Sequence, residues 1–82
     1  MRVDVLLHWL CLSPSRSQAA GWCREGRVVV DGAAVKASHL ARAGSRVEIA
    51  LGERRLRFEI LELPARQVAR NQRERFLRAL EE

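Results

Sequence analysis

Residues 15–32 read SRSQAAGWCREGRVVVDG. Ser15 followed by Gln18 three residues later is a capping-box signature for the start of a helix. Ala19, Trp22 and Cys23 recur at three- and four-residue spacing, which predicts the buried face of that helix. Gly26 stands where a helix closes on a left-handed residue, and Arg24 lies near the negative end of the helix dipole. RVVV at 27–30 then suits a strand, and Asp31-Gly32 is a two-residue hairpin signal, with the return strand at Ala33 to Lys36. Positions 16, 20 and 24 are successive i+4 steps on one helix face and hold Arg16, Ala20 and Arg24, with Arg27 just past the end. The unit buries one side of a helix and presents arginines elsewhere.

Upstream, residues 3–12 (VDVLLHWLCL) predict a short helix with Asp4 as N-cap and Val3 as the outer half of a hydrophobic staple. Leu6, Leu7 and Leu10 share one face, and Ser13-Pro14 breaks the run. Downstream, residues 37–45 read as a connection with one inward anchor, Leu40. Residues 46–51 alternate, with Val47, Ile49 and Leu51 on one face; Gly52-Glu53 turns the chain. Residues 54–62 alternate again, with Leu56, Phe58 and Ile60 inward. Leu63-Pro64 is expected to end the sheet. Residues 65–81 predict a charged helix with an apolar stripe of Val68, Phe76, Leu77 and Leu80 and with i,i+4 pairs Arg70–Glu74 and Glu74–Arg78. The expected fold is α+β: two N-terminal helices packed on a small, mostly antiparallel sheet of about four to five strands, with a charged C-terminal helix. Residues 1–63 form the main domain, and 64–82 a charged helical extension.

A chain of 82 residues fits one domain with a modest core. At 48% hydrophobic residues it is not a disordered tail. Fifteen Lys and Arg stand against ten Asp and Glu, a net charge of +5, and every base except Lys36 is arginine. Arginine forks onto phosphate and stacks on bases, so the excess points to nucleic acid or another anionic surface. Genome composition or thermal adaptation is the competing source of the same excess.

Cys11 and Cys23 match no zinc spacing and read as buried free thiols. His8 and His39 lack carboxylate neighbours at useful spacing, Ser15 and Ser17 have no evident base, and no phosphate-binding glycine loop is present. No catalytic residue, metal or cofactor is therefore expected. Trp22 reads as core, and Trp9 as the core's edge, with base stacking the other reading. Arg2 and Asp4 precede only a short apolar run, Val5 to Leu12, without a cleavage site, so a cytoplasmic location is expected.

If the two helices pack side by side, Arg2, Arg16 and Lys36 share a rim that Arg24 and Arg27 extend. Ser15 and Ser38 add hydroxyls, and the backbone N–H groups of Ser15–Ser17 suit a phosphate. A solvated arginine face is the alternative reading of the same pattern.

Arg2, Asp4, Leu7, Ser15, Arg16, Ser17 and Ala19, then Gly26, Val28, Val30, Gly32, Val35, Lys36 and Ser38, then Gly44 and Val47, form a pattern. It resembles the S4-type RNA-binding domain, or alpha-L motif. The resemblance implies a non-catalytic binder of structured RNA. Its contacts would come from Arg2, Asp4, Ser15, Arg16, Ser17, Arg24, Arg27, Lys36 and Ser38, with Arg16 as the central phosphate clamp. The rest of the chain resembles a free-standing branch of that family, the ribosome-associated small heat-shock proteins of bacteria. That branch implies ribosomal RNA on the large subunit as partner and recycling of stalled subunits under heat stress. A monomer without membrane or small-molecule substrate is expected. The chain departs from the pattern at Val5, Ala20, Asp31 and Ser45, and the arginines of its tail (Arg66, Arg70, Arg73, Arg75, Arg78) offer another place for partner contacts. Two alternatives carry different expectations: a trans-acting accessory module for an RNA-modifying enzyme, and a protein-interaction module with reduced RNA affinity.

Overall fold

The computed structural model describes residues 1–80. Helix α1 covers Val3–Trp9 and α2 covers Arg16–Arg24. Strands β1 (Val28–Val30), β2 (Ala33–Ala34), β3 (Arg46–Leu51), β4 (Arg54–Ile60) and β5 (Leu77–Ala79) form one antiparallel sheet in the order β2-β1-β3-β4-β5. The fold is α+β, two N-terminal helices and a five-stranded antiparallel sheet.

The stretch 15–32 folds as its residues dictate. Ser15 is the N-cap of α2, and its Oγ accepts the Gln18 N–H at 3.1 Å. The reciprocal half of the cap comes from Ser13, whose Oγ accepts the Ser15 N–H at 3.4 Å. At the other end Gly26 adopts φ +74, the Gly26 N–H donates to Cys23 O and the Arg27 N–H to Trp22 O. That pair of bonds is a Schellman motif, which needs a left-handed residue. Asp31 (φ 51) and Gly32 (φ 88) make the primed turn whose twist suits a hairpin. The Asp31 carboxylate also accepts the Arg46 N–H at 2.9 Å, so it ties the hairpin to β3.

Helix α1 differs from its sequence pattern at both ends. Its N-cap is Arg2, not Asp4, and the Arg2 side chain makes no capping bond. The first amides donate instead to the 37–39 loop, Val3 N–H to His39 O at 2.9 Å and Asp4 N–H to Ala37 O at 3.2 Å. It ends at Trp9 because Cys11 takes the left-handed conformation (φ 59). The Cys11 N–H then donates to His8 O and the Leu12 N–H to Leu7 O, a second Schellman motif. Cysteine gives no sequence signal for that conformation. The anchor of the 37–45 connection is also corrected: Leu40 is 62% exposed, and Ala41, at 1%, points inward. Neighbouring residues of an extended chain face opposite ways, and the main chain here bridges Arg2 to Leu40.

The core joins Leu6 and Leu7 of α1, Leu10 at its C-cap, Ala19 and Cys23 of α2, and the inward residues of β1, β3 and β4. Val47 pairs with Phe58 and Ile49 with Leu56, as the alternation of both strands requires. Trp22 packs half-buried against this cluster, whereas Trp9 is half-buried outside it.

The expected C-terminal helix does not form. Residues 70–75 make a 3-10 turn, and Leu77–Ala79 extend the sheet as β5; Glu81, the last residue of the expected helix, lies outside the described residues. The apolar stripe breaks between Val68 and Phe76, where Asn71 and Gln72 occupy the intervening turn. A strand at this place pairs an edge of β4 whose N–H and C=O groups otherwise lack partners. Leu77 pairs with Ile60, and Arg78 ion-pairs with Glu59 at 2.6 Å rather than with Glu74.

Candidate nucleic-acid interface

The amino-terminal arginines converge on one buried acid. Asp4 is 2% exposed and takes four hydrogen bonds. Arg2 grips it with two, Nε to Oδ1 and Nη2 to Oδ2, both at 3.1 Å. Arg16 Nε reaches Oδ2 at 3.2 Å, and the Val5 N–H reaches Oδ1 at 2.8 Å. Burial pushes the Asp4 carboxyl up, but the two guanidiniums and the Val5 amide outweigh it and hold it below the usual carboxylate range. Arg2 in turn is held above its ordinary value, first by its hydrogen bonds to Asp4.

The consequence is a pair of oriented donors. The Arg2 and Arg16 side chains remain 45% and 55% exposed. Arg16 uses only Nε on Asp4, and among the described residues its two terminal nitrogens have no protein partner. They form a planar fork of the kind that matches phosphate. Docking of α1 on the 37–39 loop places Ala37 and His39 carbonyls at the α1 N-terminus, which brings the exposed Lys36 and Ser38 to the same end of the molecule.

The other residues read as site members lie differently. The Ser15 Oγ accepts the Gln18 N–H in the α2 cap and keeps its O–H as a donor, while Ser17 is exposed on the first turn. Arg24 is eight residues along α2 from Arg16, about 12 Å, and its guanidinium lies back beside Gly21. Arg27 is engaged by Glu25 at 2.7 Å. The structure therefore gathers Arg2, Asp4 and Arg16 tightly, Lys36 and Ser38 beside them, and leaves Arg24 and Arg27 apart. Asp4 works as a buried anchor that aims the arginines, not as a surface contact.

Cys11 and Cys23 are free thiols. Burial, then the charge of Asp4, push the Cys23 thiol up, which disfavours the reactive thiolate. Among the described residues no group of three or more His, Cys, Asp or Glu could hold a metal ion. No helix among them is long and apolar enough to cross a membrane.

Comparison with known proteins defines the class. The S4 domain family matches residues 1–47, more than half of the chain, and the chain belongs to that family of RNA-binding domains. Among solved structures it is similar to Vibrio cholerae heat shock protein 15, which is trimeric. The superposition has a TM-score of 0.90, covers 98% of this chain and 81% of that one, and joins sequences 19% identical. No curated protein sequence matches the chain.

Proposed function

We propose that this chain is a non-catalytic binder of structured RNA, with ribosomal RNA of the large subunit as its target and recycling of stalled subunits under heat stress as its role. The reading rests on the buried Asp4 that aims Arg2 and Arg16 outward beside Lys36 and Ser38. Arg16 is the central phosphate clamp, Arg2 and Lys36 flank it, and Ser15, Ser17 and Ser38 add neutral donors. Membership of the S4 family and the fold shared with heat shock protein 15 support both parts of the proposal. Phosphate contacts give most of the affinity and make it steeply salt-dependent. Recognition is by RNA shape and backbone, as is general for folded RNA.

The test is a titration of folded ribosomal RNA fragments against duplex DNA of equal length, at two salt concentrations, with Arg16→Ala beside wild type. RNA binds more tightly, and the variant loses about 10–100-fold, the worth of a charge-assisted bond. Equal, weak binding of both nucleic acids that ignores the substitution rejects the proposal. The trimeric state of the Vibrio cholerae protein argues against the monomer expected from sequence, and sedimentation of the free protein reads the state of this chain.

A further inference from the structure

The C-terminal segment crosses back to the helices. The Val68 N–H donates to Trp9 O at 2.9 Å, Cys11 Sγ to Val68 O at 3.1 Å, and Arg73 Nη1 to Cys11 O at 3.3 Å. These three bonds fasten residues 68–73 to the turn between α1 and α2. Beside them opens a groove of about 310 Å³, walled by His8, Ser13 and Pro14 on one side and by Gln67 and Arg70 on the other. Its volume is at the small end of ligand sites. No carboxylate lines it, whereas Arg70, the Gln67 amide and the imidazole can all donate hydrogen bonds.

We infer that this groove binds an RNA phosphate, with Arg70 as its clamp, as a second contact on the strand held by Arg2 and Arg16; the inference rests on the RNA-binding reading above. Position within α1 supports the continuity. Asp4 and His8 are four residues apart and therefore neighbours on one helix face, about 6 Å along the axis. His8 Nδ1 lies 3.5 Å from Ser13 O, at the groove wall, while Asp4 holds the two arginines at the other end of that face. Charge supports it as well. Residues 2–41 carry five bases and three acids, and residues 42–80 carry ten bases and five acids. The larger positive excess therefore lies in the part of the chain that supplies Arg70.

The experiment measures binding of one folded ribosomal RNA fragment across a salt series for wild type, Arg70→Ala, Arg66→Ala and Arg16→Ala. Arg66 is an exposed tail arginine outside this groove, so it controls for general charge. Arg70→Ala is expected to weaken binding by about 5–10-fold and to flatten the salt dependence by about one phosphate contact, while Arg66→Ala binds as wild type. Equal losses for Arg66→Ala and Arg70→Ala, or none for Arg70→Ala, overturn the inference. A loss for Arg16→Ala without one for Arg70→Ala rejects the groove and leaves the RNA-binding proposal standing. Absence of RNA binding by the wild type rejects both.

Discussion

The two ends of the molecule hold their arginines in opposite ways. At the amino end a buried carboxylate takes three hydrogen bonds from two guanidiniums, so a small charge is aimed. In the carboxyl-terminal segment Arg73 is engaged by Cys11 O and Arg78 by Glu59, while Arg66, Arg70 and Arg75 are exposed without an ion pair among the described residues, so most of a larger charge is left unaimed. Charge density alone therefore misplaces the best-organised guanidiniums. What distinguishes the first region is a desolvated counter-charge, which fixes geometry before any ligand arrives.

Removing that counter-charge is the strongest way to break the contrast. Asp4→Ala is expected to cost about 2–3 kcal/mol in denaturant unfolding. That is below the usual toll for breaking a buried pair, because both arginines are half-exposed and regain water. The same variant should also lose RNA affinity, since Arg2 and Arg16 are no longer held. Acid tests the same residue with a defined sign. The Asp4 carboxyl is lower in the folded state than its ordinary value near 3.9. Its stabilisation is thus complete above that value and disappears as pH falls through the folded one. Acid titration of wild-type stability should show this loss, and Asp4→Asn should lack that part of it.

Cys11 joins the two regions, and its backbone is the next point of leverage. A β-branched residue tolerates φ 59 poorly, and valine also lacks the Sγ–H that reaches Val68 O. Cys11→Val is expected to destabilise by about 1–3 kcal/mol, read from the thermal midpoint. A shift within error would show that the turn relaxes freely.

The smallest effect sharpens the description of the C-terminal segment itself. The Leu80 N–H donates to Arg57 O across the sheet, so the amides of Arg78 and Leu80 point toward β4, and those of Leu77 and Ala79 point outward. Hydrogen exchange should therefore alternate, slow at 78 and 80 and fast at 77 and 79. Uniform protection of successive amides would instead restore the helix suggested by the residue pattern.

The order of residues alone specifies the stretch 15–32, its cap at Ser15, its stop at Gly26 and its turn at Asp31-Gly32, because each rests on local backbone chemistry. It also determined the inward faces of β3 and β4, since alternation of period two is a property of the strand alone. The pattern that carries the family, and with it Arg2, Arg16 and Lys36, was legible for the same reason: it is a matter of residue identity and spacing. Long-range packing makes Asp4 an anchor rather than a cap. Its partner Arg16 lies twelve residues away, and the Leu6 amide that a cap at position 4 would serve donates instead to Arg2 O, because docking on the 37–39 loop starts the helix earlier. Only the fold, too, decided that residues 77–79 are a strand, because the reason is an unpaired edge of β4 that no local pattern records. The place of Arg70 beside the α1–α2 turn follows from that return path, since hydrogen bonds between residues 57 and 62 positions apart set it.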